Sequence, residues 1–131
     1  MIPMMSPDDK ARAIEGVYAT GHWLFSQERY KDAADVFRAM VTMAPEDERG
    51  WVGLGMCHEA FEQLRIAKEI FAAGTTLAKS PLRCAVALVR VLKRLGDEDA
   101  ASEILAMADE MAERSMDDDA KLLVDEEKRA A

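Results

Sequence analysis

Apolar residues recur along most of the chain at spacings of three and four, which is the pattern of amphipathic helices. Ser6–Pro7, Pro45 and Ser80–Pro81 interrupt this pattern and are typical of helix starts, and Ser6 and Ser80 are expected to act as N-caps. We predict seven helices, at about residues 7–27, 30–43, 46–61, 64–78, 81–95, 97–114 and 117–129. The last helix has few apolar residues, and either Ser115 or Asp117 is expected to cap it.

The pattern also repeats along the chain. Shifting the sequence by one repeat places Gly21 on Gly55, Ala33 on Ala67 and then on Ala101, and Phe37 on Phe71 and then on Leu105. This shift is the 34-residue period of the tetratricopeptide repeat, and Trp51–His58 fits its W-x2-L-G-x2-Y opening with His in the place of Tyr. Small residues at Gly21, Gly55 and the three alanine positions are expected to let paired helices approach closely. Phe37 and Phe71 are expected to fill the space between successive helix pairs.

Such helix pairs bury a continuous core only when they stack. The sequence therefore predicts an all-α fold, a right-handed superhelix of three tetratricopeptide repeats with a C-terminal capping helix. We place the repeats at about 14–47, 48–81 and 82–114 and the capping helix at about 117–129, all within a single domain that covers 1–131.

Charge is distributed unevenly around a net value of −8, which argues against nucleic acid as a partner. The segment from Asp109 to the C-terminus is strongly acidic, whereas residues 81–95 carry Arg83, Arg90, Lys93 and Arg94 without an acidic residue. Those cations either form a solvated face, bind acidic groups of a ligand, or hold the acidic C-terminal segment of the same chain.

No apolar run is long enough to span a bilayer, so stable membrane insertion is not expected. The N-terminus does not have the organisation of a signal peptide, and we expect a cytoplasmic location. Met1, Ile2, Met4 and Met5 form an apolar N-terminal tip, for which disorder and packing in a homodimer interface are the two alternatives.

The adjacent residues Cys57, His58 and Glu59 are the first candidates for chemistry. Neighbours on a helix point about 100° apart, so Cys57 and His58 do not form a nucleophile–base pair. Together with His22 and Cys84 they lack the spacing of a zinc site. We predict that Cys57 and His58 pack in the core, and that the protein is not an enzyme and has no catalytic residue, metal or cofactor.

One face of the first helix in each repeat is expected to line the concave side of the superhelix. It carries Tyr18, His22 and Phe25 in the first repeat, Val52, Met56 and Glu59 in the second, and Val86, Arg90 and Lys93 in the third. Apolar and aromatic side chains on a face not used for packing indicate a peptide-binding groove. The alternative is that one of the terminal segments covers this face permanently.

Residues 17–45 and 49–83 resemble the tetratricopeptide chaperones of bacterial type III secretion, and most closely the class that guards the hydrophobic, pore-forming translocator proteins. The most specific matches are Y-x-D-A-x-x-V-F at Tyr30–Phe37 and G-L-G-x-C at Gly53–Cys57. The resemblance covers about residues 17–113.

The resemblance implies a concave groove that holds an extended segment of a translocator protein through apolar anchors of a P-x-L-x-x-P kind. Tyr18, His22 and Phe25, with Tyr30 close by, would line its pockets. The implied function is a cytoplasmic chaperone that keeps the translocator soluble and competent for export. The alternative is a tetratricopeptide adaptor that binds a folded partner in a secretion assembly or another complex.

Overall fold

The computed structural model describes residues 5–130, and within that range it contains seven helices and no strand. The helices are α1 Pro7–Ser26, α2 Tyr30–Met43, α3 Glu48–Ala60, α4 Leu64–Leu77, α5 Leu82–Arg94, α6 Glu98–Glu113 and α7 Asp118–Arg129. All seven predicted helices are confirmed, with ends that lie within two residues of the predicted bounds. Most of the apolar N-terminal tip, at residues 1–4, lies outside the described residues.

The cap of α1 is formed as predicted, because the Ser6 hydroxyl accepts a hydrogen bond from the Asp9 amide at 3.1 Å and Pro7 opens the helix. Asp117 caps α7 in the same way, through the amide of Ala120 at 3.0 Å. Of the two residues predicted for this cap, the structure selects Asp117.

Two other helix starts differ from the prediction. The helix expected at residue 46 begins at Glu48, because Asp47 acts as the N-cap and its side chain accepts a hydrogen bond from the Arg49 amide. Ser80 does not cap α5, since Pro81 is the cap residue and no side chain bonds to the first turn. A Ser–Pro pair therefore marks two helix starts here but caps only one of them.

The turns within the three helix pairs share one backbone conformation. Glu28, Glu62 and Gly96 all have positive φ, at 59°, 58° and 82°, and they occupy equivalent positions of the three repeats. The same turn thus recurs in each repeat, although only the third repeat has the glycine that adopts this conformation without strain.

The helices form an inner and an outer layer. The inner helices α1, α3, α5 and α7 contact one another in chain order, and α2, α4 and α6 pack against them from outside. Asp117 lies one full repeat period after Arg83, so α7 takes the place of the first helix of a fourth repeat. It lies against both α5 and α6, which confirms the predicted C-terminal capping helix.

Phenylalanines of the outer helices fill the space next to inner-helix glycines. The ring of Phe37 lies so close to Gly21 and Gly53 that a Cβ atom at either position would come within 3.0 Å of it. Phe71 occupies the equivalent place against Gly55, and both phenylalanines are buried. This arrangement confirms the packing predicted from the 34-residue period, and it leaves an adjoining face of α1 and α3 open as the inner face.

Candidate peptide-binding groove

Five of the predicted groove residues line one hollow on the inner face. Tyr18, His22 and Phe25 come from α1, and Val52 and Met56 come from α3. The hollow has a volume of about 520 Å³, and it is also lined by Phe37, Gly53 and the charged residues Glu48, Arg49 and Arg83. We call this set of residues the inner pocket. Met56 is 39% exposed despite being apolar, so the pocket presents hydrophobic surface to solvent.

Aromatic and cationic groups surround the ring of Tyr18. The guanidinium carbon of Arg49 lies 4.5 Å from the Tyr18 ring centroid, on the face of the ring. The centroids of His22 and Phe37 lie 5.9 Å and 6.4 Å from it. These contacts fix the orientation of the tyrosine ring, so the inner pocket has a preformed wall.

Tyr30 lies at the edge of this region rather than inside the inner pocket. Its ring centroid is 5.0 Å from that of Phe25 and 6.1 Å from that of Phe61, in edge-to-face geometry in both cases. Phe61 is 48% exposed. Tyr30 therefore supports Phe25 and extends the apolar surface towards the turn between α3 and α4.

Ion pairs link the inner helices along one edge of the inner pocket. Arg49 donates to Glu15 on α1 at 2.9 Å and 3.0 Å, and to Asp47 at 2.8 Å. The hydrogen bonds from Arg49 hold the pKa of both carboxyl groups below its usual value. Glu15, Arg49, Arg83 and Asp117 occupy equivalent positions of successive repeats, and Arg83 donates to Asp117 at 2.6 Å.

Glu48 is a buried acid in this chain of charges, with 8% of its surface exposed. Arg83 donates to it from both its backbone amide, at 3.2 Å, and its guanidinium, at 3.1 Å. Burial raises the pKa of Glu48, and the hydrogen bonds from Arg83 only partly oppose that effect. Glu48 thus joins α3 to α5 in the wall of the inner pocket.

Val86 does not line an open surface, which corrects the prediction that it faces the groove. It is 2% exposed and packs in a cluster with Ala120 and Val124 of α7. The sequence pattern places Val86 on the inner face correctly, but α7 covers that face in the third repeat. The expected alternative, a terminal segment that covers part of the groove, is therefore realised at one end.

Arg90 and Lys93, predicted at the same end, hold the acidic C-terminal helix. Arg90 Nε and Lys93 Nζ each donate to one carboxylate oxygen of Glu127 on α7, both at 2.8 Å. Burial would raise the pKa of Glu127, but the hydrogen bonds from Lys93 and Arg90 outweigh it and lower that pKa. The sequence allows three roles for the cations of α5: a solvated face, binding of a ligand's acidic groups, or binding of the chain's own acidic C-terminal segment. The structure shows the third of these for Arg90 and Lys93.

Glu59, the last of the predicted groove residues, is only partly exposed. It accepts a long hydrogen bond of 3.5 Å from Arg94, whose other terminal nitrogen donates to Glu62 at 2.6 Å. Burial raises the pKa of Glu59, with Arg94 acting in the opposite direction. Glu59 therefore stands between the inner pocket and the basic end of the groove.

Cys57 and His58 are packing residues, as predicted. Cys57 and Cys84 are both fully buried, and burial raises their thiol pKa values to about 11 and about 12. His58 is partly buried, and its Nδ1 lies 2.7 Å from Oε1 of Gln63. Thiols that are this buried and this weakly acidic are poor nucleophiles.

The described part of the chain gives two further results. Residues 5–130 contain no group of three or more His, Cys, Asp or Glu side chains placed to hold a metal ion. None of the helices in that range is both long and apolar enough to cross a membrane.

A second hollow, of about 650 Å³, lies between the start of α5, the end of α6 and the start of α7. Five of its twelve lining residues are charged, compared with three of the ten that line the inner pocket, and they are Glu48, Lys79, Arg83, Arg114 and Asp117. Arg83 is committed to Glu48 and Asp117 within this rim. The inner pocket is therefore the better candidate for binding an apolar segment.

Phe37 and Arg49 contribute to the inner pocket and are not among the predicted site residues. The sequence indicates a packing role for Phe37, and the structure gives it both roles, because the ring that fills the glycine contact also lines the pocket. Arg49 carries a signal in the sequence, since it matches Arg83 of the basic helix in the 34-residue frame.

No protein-family model matches the chain, and comparison with curated protein sequences also finds no match. Solved structures do match. The type III secretion translocator chaperone SycD of Yersinia enterocolitica is 22% identical with a TM-score of 0.80, over 92% of this chain and 88% of SycD. PcrH of Pseudomonas aeruginosa, solved with the chaperone-binding region of PopB, is 21% identical with a TM-score of 0.80, over 98% of each chain.

SycD solved with a peptide of the translocator YopD also matches, at 21% identity and a TM-score of 0.69, over 91% of this chain and 95% of that one. At this level of identity the similarity establishes the fold. The chain is a right-handed superhelix of three tetratricopeptide repeats with a capping helix, the fold of the solved type III secretion translocator chaperones.

Proposed function

We propose that the protein is a cytoplasmic, non-enzymatic chaperone that binds an extended apolar segment of a type III secretion translocator protein. The inner pocket is the observation that carries this proposal, because it exposes apolar and aromatic side chains at five positions of the inner face. Two proteins with the same fold were solved with a chaperone-binding region and with a translocator peptide, respectively.

The mechanism is the burial of the client's apolar surface in a preformed site. Fully burying one large aliphatic side chain is worth roughly 1.5–3 kcal/mol, so two or three anchors supply roughly 3–9 kcal/mol towards binding, from which the cost of ordering the segment is subtracted. The ion pair from Arg49 to Glu15 links α3 to α1 at the edge of this site, and Asp47 at the start of α3 holds the same guanidinium. Occupation of the pocket covers client segments that would otherwise aggregate.

Co-expression with hydrophobic proteins secreted by the same bacterium tests this function. We expect at least one of them to become soluble and to co-purify with the wild-type chaperone. Met56→Glu places a charge in the inner pocket at an exposed position, and we expect it to weaken binding by about tenfold or more. Leu77→Glu is the matched control, because Leu77 is 53% exposed at the end of α4 and does not line the inner pocket.

Two results would contradict the proposal. The first is that no secreted hydrophobic protein gains solubility in the presence of the chaperone. The second is that a partner binds equally well to wild type and Met56→Glu, and only as a folded protein rather than as a short segment. That second result would instead support the adaptor function considered from the sequence. A homodimer stays a prediction, which the mass of the free protein in solution tests directly.

A further inference from the structure

Three residues occupy the same position of the three repeats on the inner face. They are His22 on α1, Met56 on α3 and Arg90 on α5, each one repeat period after the last. His22 and Met56 line the inner pocket. A segment held in that pocket and running across the inner helices towards α5 therefore passes from apolar surface to a guanidinium.

Arg90 has hydrogen-bond donors to spare. Its side chain is 51% exposed, and only its Nε is engaged, by Glu127. The two terminal nitrogens of Arg90 donate to no group within residues 5–130. These nitrogens form the part of a guanidinium that binds a carboxylate with two parallel hydrogen bonds.

The acids near Arg90 already have hydrogen-bond partners among the cations of α5, and Arg90 itself uses only Nε for one of them. Glu59 accepts from Arg94, Glu62 also accepts from Arg94, and Glu127 is shared between Lys93 and Arg90. Because these carboxylates have their partners, the unused nitrogens of Arg90 remain open to a group from outside the chain. Glu127 fixes the Arg90 side chain through Nε and so orients the free end of the guanidinium.

We propose that the client segment carries a carboxylate, from Asp or Glu, about three residues from its apolar anchor, and that this carboxylate binds Arg90. Neighbouring packed helices lie about 10 Å apart, and an extended chain advances about 3.3 Å per residue. A segment that crosses from α3 to α5 therefore needs about three residues between its apolar anchor and its carboxylate. The inference rests on the proposed chaperone function and adds an acidic position to the client's recognition sequence. A single guanidinium suits one carboxylate, and the net charge of −8 disfavours polyanions.

Selection from a phage-displayed library of random 12-residue peptides tests the inference without a known client. Peptides selected by the wild type are expected to share an apolar anchor with Asp or Glu two to four residues away. Arg90→Gln should select the same apolar anchors without the acidic preference. Arg65→Gln removes the same charge from an exposed site at the start of α4, so its peptides should match those of the wild type.

Affinity of one selected peptide then gives the size of the effect. Replacing its acidic residue by the amide is expected to weaken binding to the wild type about tenfold, as for loss of a charge-assisted hydrogen-bond pair, and to leave binding to Arg90→Gln unchanged. Arg90→Lys, which keeps the charge but not the paired donors, should fall between the two.

The outcomes separate the inference from the proposed function. The selected peptides could be apolar, bind the wild type and lose affinity for Met56→Glu, yet show no preference for Asp or Glu. That result overturns the inference and leaves the proposed function standing. Failure of the wild type to select any apolar peptide overturns both. An acidic preference that persists in Arg90→Gln also overturns the inference, because another cation then provides the contact.

Discussion

Two glycines of inner helices have opposite surroundings, although both sit on helix interiors. A Cβ atom on Gly55 would overlap the buried ring of Phe71, whereas a Cβ atom on Gly16 would meet nothing within 4 Å. Gly16 is one period before Gly50, which packs against Val41. Within the described residues no repeat precedes α1, so no side chain packs against Gly16 in the way that Val41 packs against Gly50. Glycine is therefore required by packing at Gly55 but not at Gly16.

Substitution of these two glycines by alanine should accordingly change stability in opposite directions. We expect Gly55→Ala to lower the free energy of unfolding by roughly 2 kcal/mol, because the closely packed core has to shift. Gly16→Ala should raise it by about 0.5–1 kcal/mol, since alanine restricts the unfolded chain and favours the helix. Urea unfolding followed by circular dichroism measures both, and a loss of stability in Gly16→Ala would contradict the interpretation.

At the scale of helices, the sequence predicts what local patterns determine. The apolar spacing and the caps at Ser6 and Asp117 give helix bounds within two residues, because propensity, capping and turns act over a few positions. The position of α7 depends instead on contacts between residues that are distant in the chain. Three roles for the basic helix are compatible with the sequence, and only the structure shows that Glu127 of α7 meets Arg90 and Lys93.

The same limit explains the outcome for the groove. The 34-residue period predicts one shared face for nine residues, and the structure brings five of them together in the inner pocket: Tyr18, His22, Phe25, Val52 and Met56. Val86 fits the same period but lies beneath α7. Periodicity identifies the face of a helix, whereas coverage of that face depends on a different element.

The pairing of Glu127 predicts how the docking of α7 responds to acid. The pKa of Glu127 is lowered in the folded protein, so its contribution is fully present above the ordinary carboxyl pKa of about 4.3 and is lost as the pH falls through the lower, folded value. At pH 7, Glu127→Gln should lower the free energy of unfolding by about 1 kcal/mol. Its difference from wild type should be smaller at about pH 3 than at pH 7.

Asp109→Asn provides the control for this prediction. Asp109 of α6 pairs at 3.0 Å with Lys128, which lies on α7 as Glu127 does. Both side chains of this pair are more than a third exposed. Such a pair contributes little, and we expect a change below about 0.5 kcal/mol at either pH. Urea unfolding at several pH values measures both variants, and hydrogen exchange of the α7 amides locates the effect. Equal effects of the two substitutions would contradict the special role of Glu127.

At the scale of the whole molecule, each repeat contacts its neighbours in chain order. The free energy of unfolding of such an array is approximately the sum of the intrinsic stabilities of the repeats and the free energies of the interfaces between neighbouring repeats. The inner pocket lies between the first and second repeats, while α7 covers the third. Apolar binding surface and C-terminal cap therefore occupy opposite ends of the inner layer, and loosening one end need not disturb the other.

Thiol labelling tests this division, because Cys57 belongs to the core of the first two repeats and Cys84 lies on α5 of the third. Both thiols are fully buried and should react slowly with iodoacetamide at pH 8. Val124→Asp places a charge in the buried contact of α7, and we expect a loss of roughly 3 kcal/mol and labelling of Cys84 at least about tenfold faster. Labelling of Cys57 should increase less, since α7 lies beyond the third repeat.

The control is Leu122→Asp, which changes the same helix at a position that is 56% exposed and should leave both labelling rates unchanged. Equal acceleration at Cys57 and Cys84 in Val124→Asp, measured by mass spectrometry, would show that the array opens as one unit.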